Sequence, residues 1–151
     1  MKMKTHPIKL DLEIRSLSSF QTLVDVFNQS NELAEMYPPD TIHKDWSTNI
    51  RFSLSCKPDE CIAHYNELIM SLSGEAKVQW NMAYHKCFNL VYNTSIEEPA
   101  FTETLSALSI KKLAELDASF AFRLYPIEMI DHDESQHTHN KKANLMKLAG
   151  F

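Results

Sequence analysis

The chain has 151 residues, 44% of them apolar and 23% charged, with a formal net charge of −5. That length suits one domain able to bury roughly two-thirds of its unfolded surface. The acidic balance gives no pull toward nucleic acid, whose phosphates need clustered Lys and Arg. Only two glycines also argue against phosphate-cradling loops.

The first predicted element is a strand over residues 7–15. Its "IKLDLEIR" sends Ile8, Leu10, Leu12 and Ile14 to one face and Lys9, Asp11, Glu13 and Arg15 to the other. The charges at Lys9, Asp11 and Glu13 exclude a signal-peptide apolar core there. A helix over 19–29 follows, with Ser18 or Ser19 as cap and Phe20, Leu23, Val24 and Phe27 at helical spacing. Leu33, Met36 and Tyr37 extend it or form a second turn, and the prolines of "YPPD" end it.

A second strand is expected over 46–55, with Trp46, Thr48, Ile50, Phe52 and Leu54 on one face and Asn49 and Arg51 on the other; a short extra strand fits residues 41–45. Pro58 suits a first helical position, and Asp59 and Glu60 suit the positive end of the helix dipole. Ile62, Tyr65, Leu68, Ile69 and Leu72 make the helix stripe, and Gly74 is its natural stop.

Residues 76–93 keep one parity: Val78, Trp80, Met82, Tyr84, Phe88, Leu90 and Tyr92, with Lys86 out of pattern. This reads as one long strand with a bulge near Lys86. After a loop, Ser109 caps a short helix with Ile110, Leu113 and Leu116 facing inward. A last strand over 119–125 puts Phe120, Phe122 and Leu124 on the core side.

Alternation in every strand excludes a parallel sheet covered on both faces. The expected fold is α+β: a two-layer sandwich of a four- or five-stranded, mainly antiparallel sheet with helices on one face. Residues 1–130 form a single domain, and 131–151 form a polar, His-rich segment with an apolar tail. No window is apolar for long enough to span a bilayer.

The stretch 108–125, "LSIKKLAELDASFAFRLY", resembles the C-terminal segment of the bacterial family of unknown function numbered 4279. The match is Leu108, Ser109, Leu113, Leu116, Ala118 and the strand to Tyr125, with "FNLVYN" at the place of the preceding strand. The resemblance implies a small bacterial α+β domain without an assigned activity. Small domains of this kind occur beside toxins as immunity proteins, which implies a binding role.

The face opposite the helices carries the candidate binding residues Glu13, Arg15, Arg51, Asn81, His85 and Arg123. An acid–base pair of His85 with Asp11 or Glu13 is sterically allowed there. His132, His137 and His139 in "DHDESQHTHN" are candidate metal ligands by residue type, although the segment offers them no rigid frame. In "KKANLMKLAGF", Leu145, Met146, Leu148 and Phe151 fit a short amphipathic turn, too short to be helical alone, that docks on its own sheet, docks on a neighbour or stays disordered. Cys56, Cys61 and Cys87, an odd count without an export signal, point to reduced thiols in a cytoplasm. "CKPDEC" has neither redox nor zinc spacing.

No nucleophile elbow, zinc-protease, P-loop or dinucleotide motif is present, and nothing calls for a cofactor. The expected function is a non-enzymatic interaction module, of immunity type if the resemblance holds, acting through its open sheet face or an edge. Its partner is a second copy or another protein. The alternative is a small-molecule binder or enzyme with a pocket between sheet and helices, lined by Trp46, Trp80, Tyr84 and Tyr92.

Overall fold

A computed structural model describes residues 5–30, 32–52, 57–95 and 100–126. In chain order the elements are β1 (His6–Ser16), α1 (Gln21–Gln29), β2 (Met36–Tyr37), β3 (Trp46–Phe52), α2 (Pro58–Met70), α3 (Gly74–Met82), β4 (His85–Thr94), α4 (Ala107–Glu115) and β5 (Ser119–Pro126). The five strands form one sheet in the order β2-β3-β1-β4-β5. β1 is central and antiparallel to both neighbours. β5 runs parallel to β4, because the chain between them crosses over through α4.

The apolar side of β1 is closed: Leu10, Leu12 and Ile14 have no exposed surface. Each contributes about 1.5–3 kcal/mol by leaving water. They join Ile50 of β3 and Phe88, Leu90 and Tyr92 of β4 in one cluster that also takes Phe27 of α1, Tyr65 of α2, Trp80 of α3 and Leu113 of α4. All four helices therefore share one core on one face of the sheet. This is the expected two-layer α+β sandwich, with a single parallel strand pair at its margin.

Several element boundaries differ from expectation. Residues 74–82 are helix, and the strand starts only at His85. Along α3 only Ala76 and Trp80, one helical turn apart, turn inward. Val78 and Met82 stand exposed, as does Tyr84 just beyond the helix. Alternate apolar residues mimic a strand when the helix buries so narrow a stripe. Gly74 both follows α2 and opens α3, in the left-handed region at φ +57°, where a side chain would be strained.

The ladder passes Lys86 in regular register opposite Ile14, and the irregularity lies between Pro7 and Lys9 instead. Lys86 points to the core side, buried. Its Nζ sits 5.1 Å from the Trp80 ring centroid, 3.3 Å from the Trp80 carbonyl oxygen and 3.6 Å from Asp117 Oδ2. The short extra strand lies at 36–37, pairing with Ser47 and Thr48, and not at 41–45. Pro38 biases Tyr37 to extended backbone.

The caps also differ. Neither Ser18 nor Ser19 caps α1; the Leu23 N–H donates to Gln79 Oε1 of α3 at 2.9 Å. Ser106, not Ser109, caps α4, accepting from the Ser109 N–H at 3.1 Å.

Cys61 is buried and disulfide-bonded, and Cys87 is a free, buried thiol. The expectation of three reduced thiols does not hold. A thiol assay on denatured protein purified without reductant is expected to titrate Cys87 as the single free thiol, and all three cysteines after reduction. Three thiols before reduction would refute the bridge. Among the described residues no helix is long and apolar enough to cross a membrane.

Candidate functional site

Two regions of the described surface carry chemistry: the polar face of the sheet and the margin at β5. On the polar face, antiparallel pairing sets Asp11 between Arg51 of β3 and Asn89 of β4, and Arg15 between Ser47 and His85. Side chains at such directly opposed positions reach one another.

At one end these residues form a connected network. Arg15 Nε donates to Glu13 Oε1 at 2.9 Å. His85 Nε2 lies 3.3 Å from the same oxygen. Arg15 Nη1 is 3.8 Å from Asp45 Oδ2, and the Tyr84 hydroxyl donates to that oxygen. The bond to Glu13 raises the Arg15 pKa. The Tyr84 hydroxyl holds the Asp45 carboxyl below its ordinary value, and Asp45 in turn raises the Tyr84 phenol. This end is wet, with Arg15 and His85 over a third exposed.

The middle of the face is closed. Asp11, Cys87, Asn89 and Val91 are nearly all buried. Lys9 Nζ comes within 3.4 Å of Asp11 Oδ2, although neither Asp11 oxygen has a hydrogen-bond partner. The Cys87 thiol sits 3.7 Å from Asn89 Oδ1. The open, amide-rich face expected from the alternation is therefore reduced to its rim.

Glu13 and His85 have the spacing of an acid–base pair, but among the described residues no activated nucleophile accompanies them. Burial, with the Glu13 charge beside it, raises the Cys87 pKa, so the thiol stays protonated at neutral pH and is a poor nucleophile. Among the described residues no group of His, Cys, Asp and Glu side chains could hold a metal ion. His132, His137 and His139 lie outside the described residues, as does the tail 141–151.

Of the expected binding residues, Glu13, Arg15 and His85 come together. Arg51 and Arg123 stand exposed on the same face, on β3 and β5. Asn81 does not belong to the sheet: it is an exposed residue of α3, because its segment is helix and not strand.

A sheet edge is among the expected surfaces, and of the expected binding residues Arg123 alone lies on the margin strand β5. β5 hydrogen-bonds β4 on one side and no other strand among the described residues. Phe122, Leu124 and Tyr125 are about half exposed or more. Phe122 and Leu124 were expected in the core; the helix layer stops short of them. Beside them is a cavity of about 560 Å³. Tyr92, Phe101, Phe122 and Leu124 supply its apolar wall, and Thr94 and Glu103 are among its polar groups. Tyr92 and Phe101 meet edge-to-face with centroids 5.2 Å apart. Of the aromatic residues expected around a pocket, Tyr92 alone lines this one.

Compared with family models, curated proteins and solved structures, the chain finds no match.

Proposed function

We propose that this domain is a non-enzymatic protein-interaction module that works by adding a strand at β5, and that its first partner is a second copy of itself. One observation carries the reading: an eight-residue edge strand presents an unpaired backbone edge, within the described sheet, together with exposed Phe122, Leu124 and Tyr125. Such an edge is a template for pairing, and contiguous exposed apolar residues mark association surfaces. The other margin is different. β2 is only two residues long, too short to template a partner.

The polar rim around Glu13, Arg15 and His85 serves in this reading as a steering and specificity surface. Charged rims tune association rate and partner choice more than affinity. Among the described residues the Cys87 thiol beside Glu13 and His85 is held protonated by burial, which agrees with a non-enzymatic role for this rim. A disulfide at Cys61 is the habit of oxidising compartments, so the thiol assay also bears on the cytoplasmic setting expected from the sequence.

Sedimentation velocity over about 1–100 µM tests the reading, a range matched to micromolar affinities. The wild type is expected to pass from monomer to dimer. Leu124→Lys and Phe122→Glu are expected to weaken dimerisation by at least about tenfold while thermal unfolding is unchanged, since both side chains are already largely in water. Arg51→Ala, on the far side of β1, is expected to dimerise normally. A strict monomer over this range, or a Leu124→Lys protein that dimerises like the wild type, would overturn the proposal.

A further inference from the structure

The cavity beside β5 has features that strand addition does not use. Its volume of about 560 Å³ falls in the range of small-molecule sites. Glu103 is the one charged side chain among its described lining residues. Tyr92 is 1% exposed, yet its hydroxyl has no hydrogen-bond partner in the protein. Buried hydroxyls are rarely left so, and each exception asks for an explanation.

We propose that this cavity binds a small organic cation, an amine whose apolar body lies among Phe101, Phe122 and Leu124 and whose ammonium group meets Glu103. A single carboxylate on an otherwise uncharged, largely apolar described wall favours a cation with an apolar body. Burial, together with the nearby Glu103 charge, pushes the Tyr92 pKa up to about 12, so the phenol is neutral at physiological pH and Glu103 is the one charge on the described wall. A carboxylate ligand would meet Glu103 as a like charge. A neutral isostere would gain the apolar contacts but not the charge pairing.

Three probes of one shape separate these cases: phenethylammonium, 2-phenylethanol and 3-phenylpropionate. Binding is followed by two-dimensional NMR titration, with sedimentation run alongside at the same protein concentration so that a failure of dimerisation is read separately. Phenethylammonium is expected to saturate with a dissociation constant on the order of 0.1–1 mM, suited to so small a ligand. Its shifts are expected around Tyr92, Thr94 and Phe122. It is expected to bind about threefold to fivefold more tightly than 2-phenylethanol, and 3-phenylpropionate is expected not to saturate. Glu103→Gln, a surface-loop change that keeps the shape, is expected to abolish the preference for the amine while the alcohol binds as before. Equal affinity for all three probes, an amine preference that survives Glu103→Gln, or no saturation by any probe would overturn the proposal.

Discussion

Trp80→Ala is expected to lower unfolding stability by about 3–5 kcal/mol, the cost of emptying a large buried aromatic site. Val78→Ala and Met82→Ala, two residues to either side, are expected to change it by less than about 0.5 kcal/mol. The contrast follows from α3. Trp80 is 4% exposed, whereas Val78 and Met82 are more than half exposed. Trp80 also forms the floor under buried Lys86, whose Nζ stands over its ring, so its removal leaves that ammonium with the exposed Asp117 as its charged partner. A strand through 76–93 would place all three residues on one face and make all three substitutions costly. Urea unfolding of the three variants decides the matter, and comparable losses at Val78 and Trp80 would contradict the helix.

Asp59→Ala is expected to cost about 1–3 kcal/mol near neutral pH, the usual penalty for orphaning buried donors of a charged acceptor. Asp59 Oδ1 accepts from Ser109 Oγ at 2.6 Å, from the Ser106 N–H at 3.1 Å and from Ser106 Oγ at 3.2 Å. One carboxylate thereby ties the first turn of α2 to the first turn of α4. The Ser109 hydroxyl, and then the Ser106 amide, hold its carboxyl below the ordinary aspartate range.

The sign follows from linkage. Where the folded pKa is depressed, the unfolded chain binds the proton more readily, so the contribution is fully present above the unfolded value of about 4 and is lost as pH falls through the folded one. The stability difference between wild type and Asp59→Ala is therefore expected to be constant from neutral pH down to about 5 and to shrink below about 4. Chemical denaturation at a series of pH values measures it. A gap that stays constant below pH 4 would show that the carboxylate charge is not what joins the helices.

The parts of the fold legible in the sequence were those whose pattern has a single physical cause. In "IKLDLEIR" Leu10, Leu12 and Ile14 face one core, and β1 lies where the alternation put it. The stripe of Ile62, Tyr65 and Ile69 likewise marks the buried side of α2. Residues 76–93 failed because two causes produced one parity. Trp80 is there to face the sheet from a helix, Phe88 and Leu90 to face the helices from a strand, while Val78, Met82 and Tyr84 are exposed apolar residues that continue the pattern by coincidence.

The polar network was half legible for a similar reason. Parity alone puts Glu13, Arg15 and His85 on one face. Asp45 and Tyr84 join them only because the connections before β3 and β4 return to the same end of β1, where the Tyr84 N–H donates to the Arg15 carbonyl oxygen. The margin at β5 was hidden differently. Phe122 and Leu124 alternate as core residues do, and their exposure depends on how far the helix layer reaches. That is a property of packing that no local pattern encodes. The cavity draws Phe101 and Glu103 from a segment without periodicity, which leaves no signal to read.

Amide hydrogen exchange along β5, compared with β1 and followed as protein concentration rises, tests the central claim most directly. β1 is paired on both sides and is expected to exchange slowly at every concentration. In dilute protein β5 is expected to hold a set of fast amides on the side away from β4, and these are expected to slow as a second copy pairs with them. β5 amides as slow as those of β1 in dilute solution, and indifferent to concentration, would mean that this margin offers no open edge.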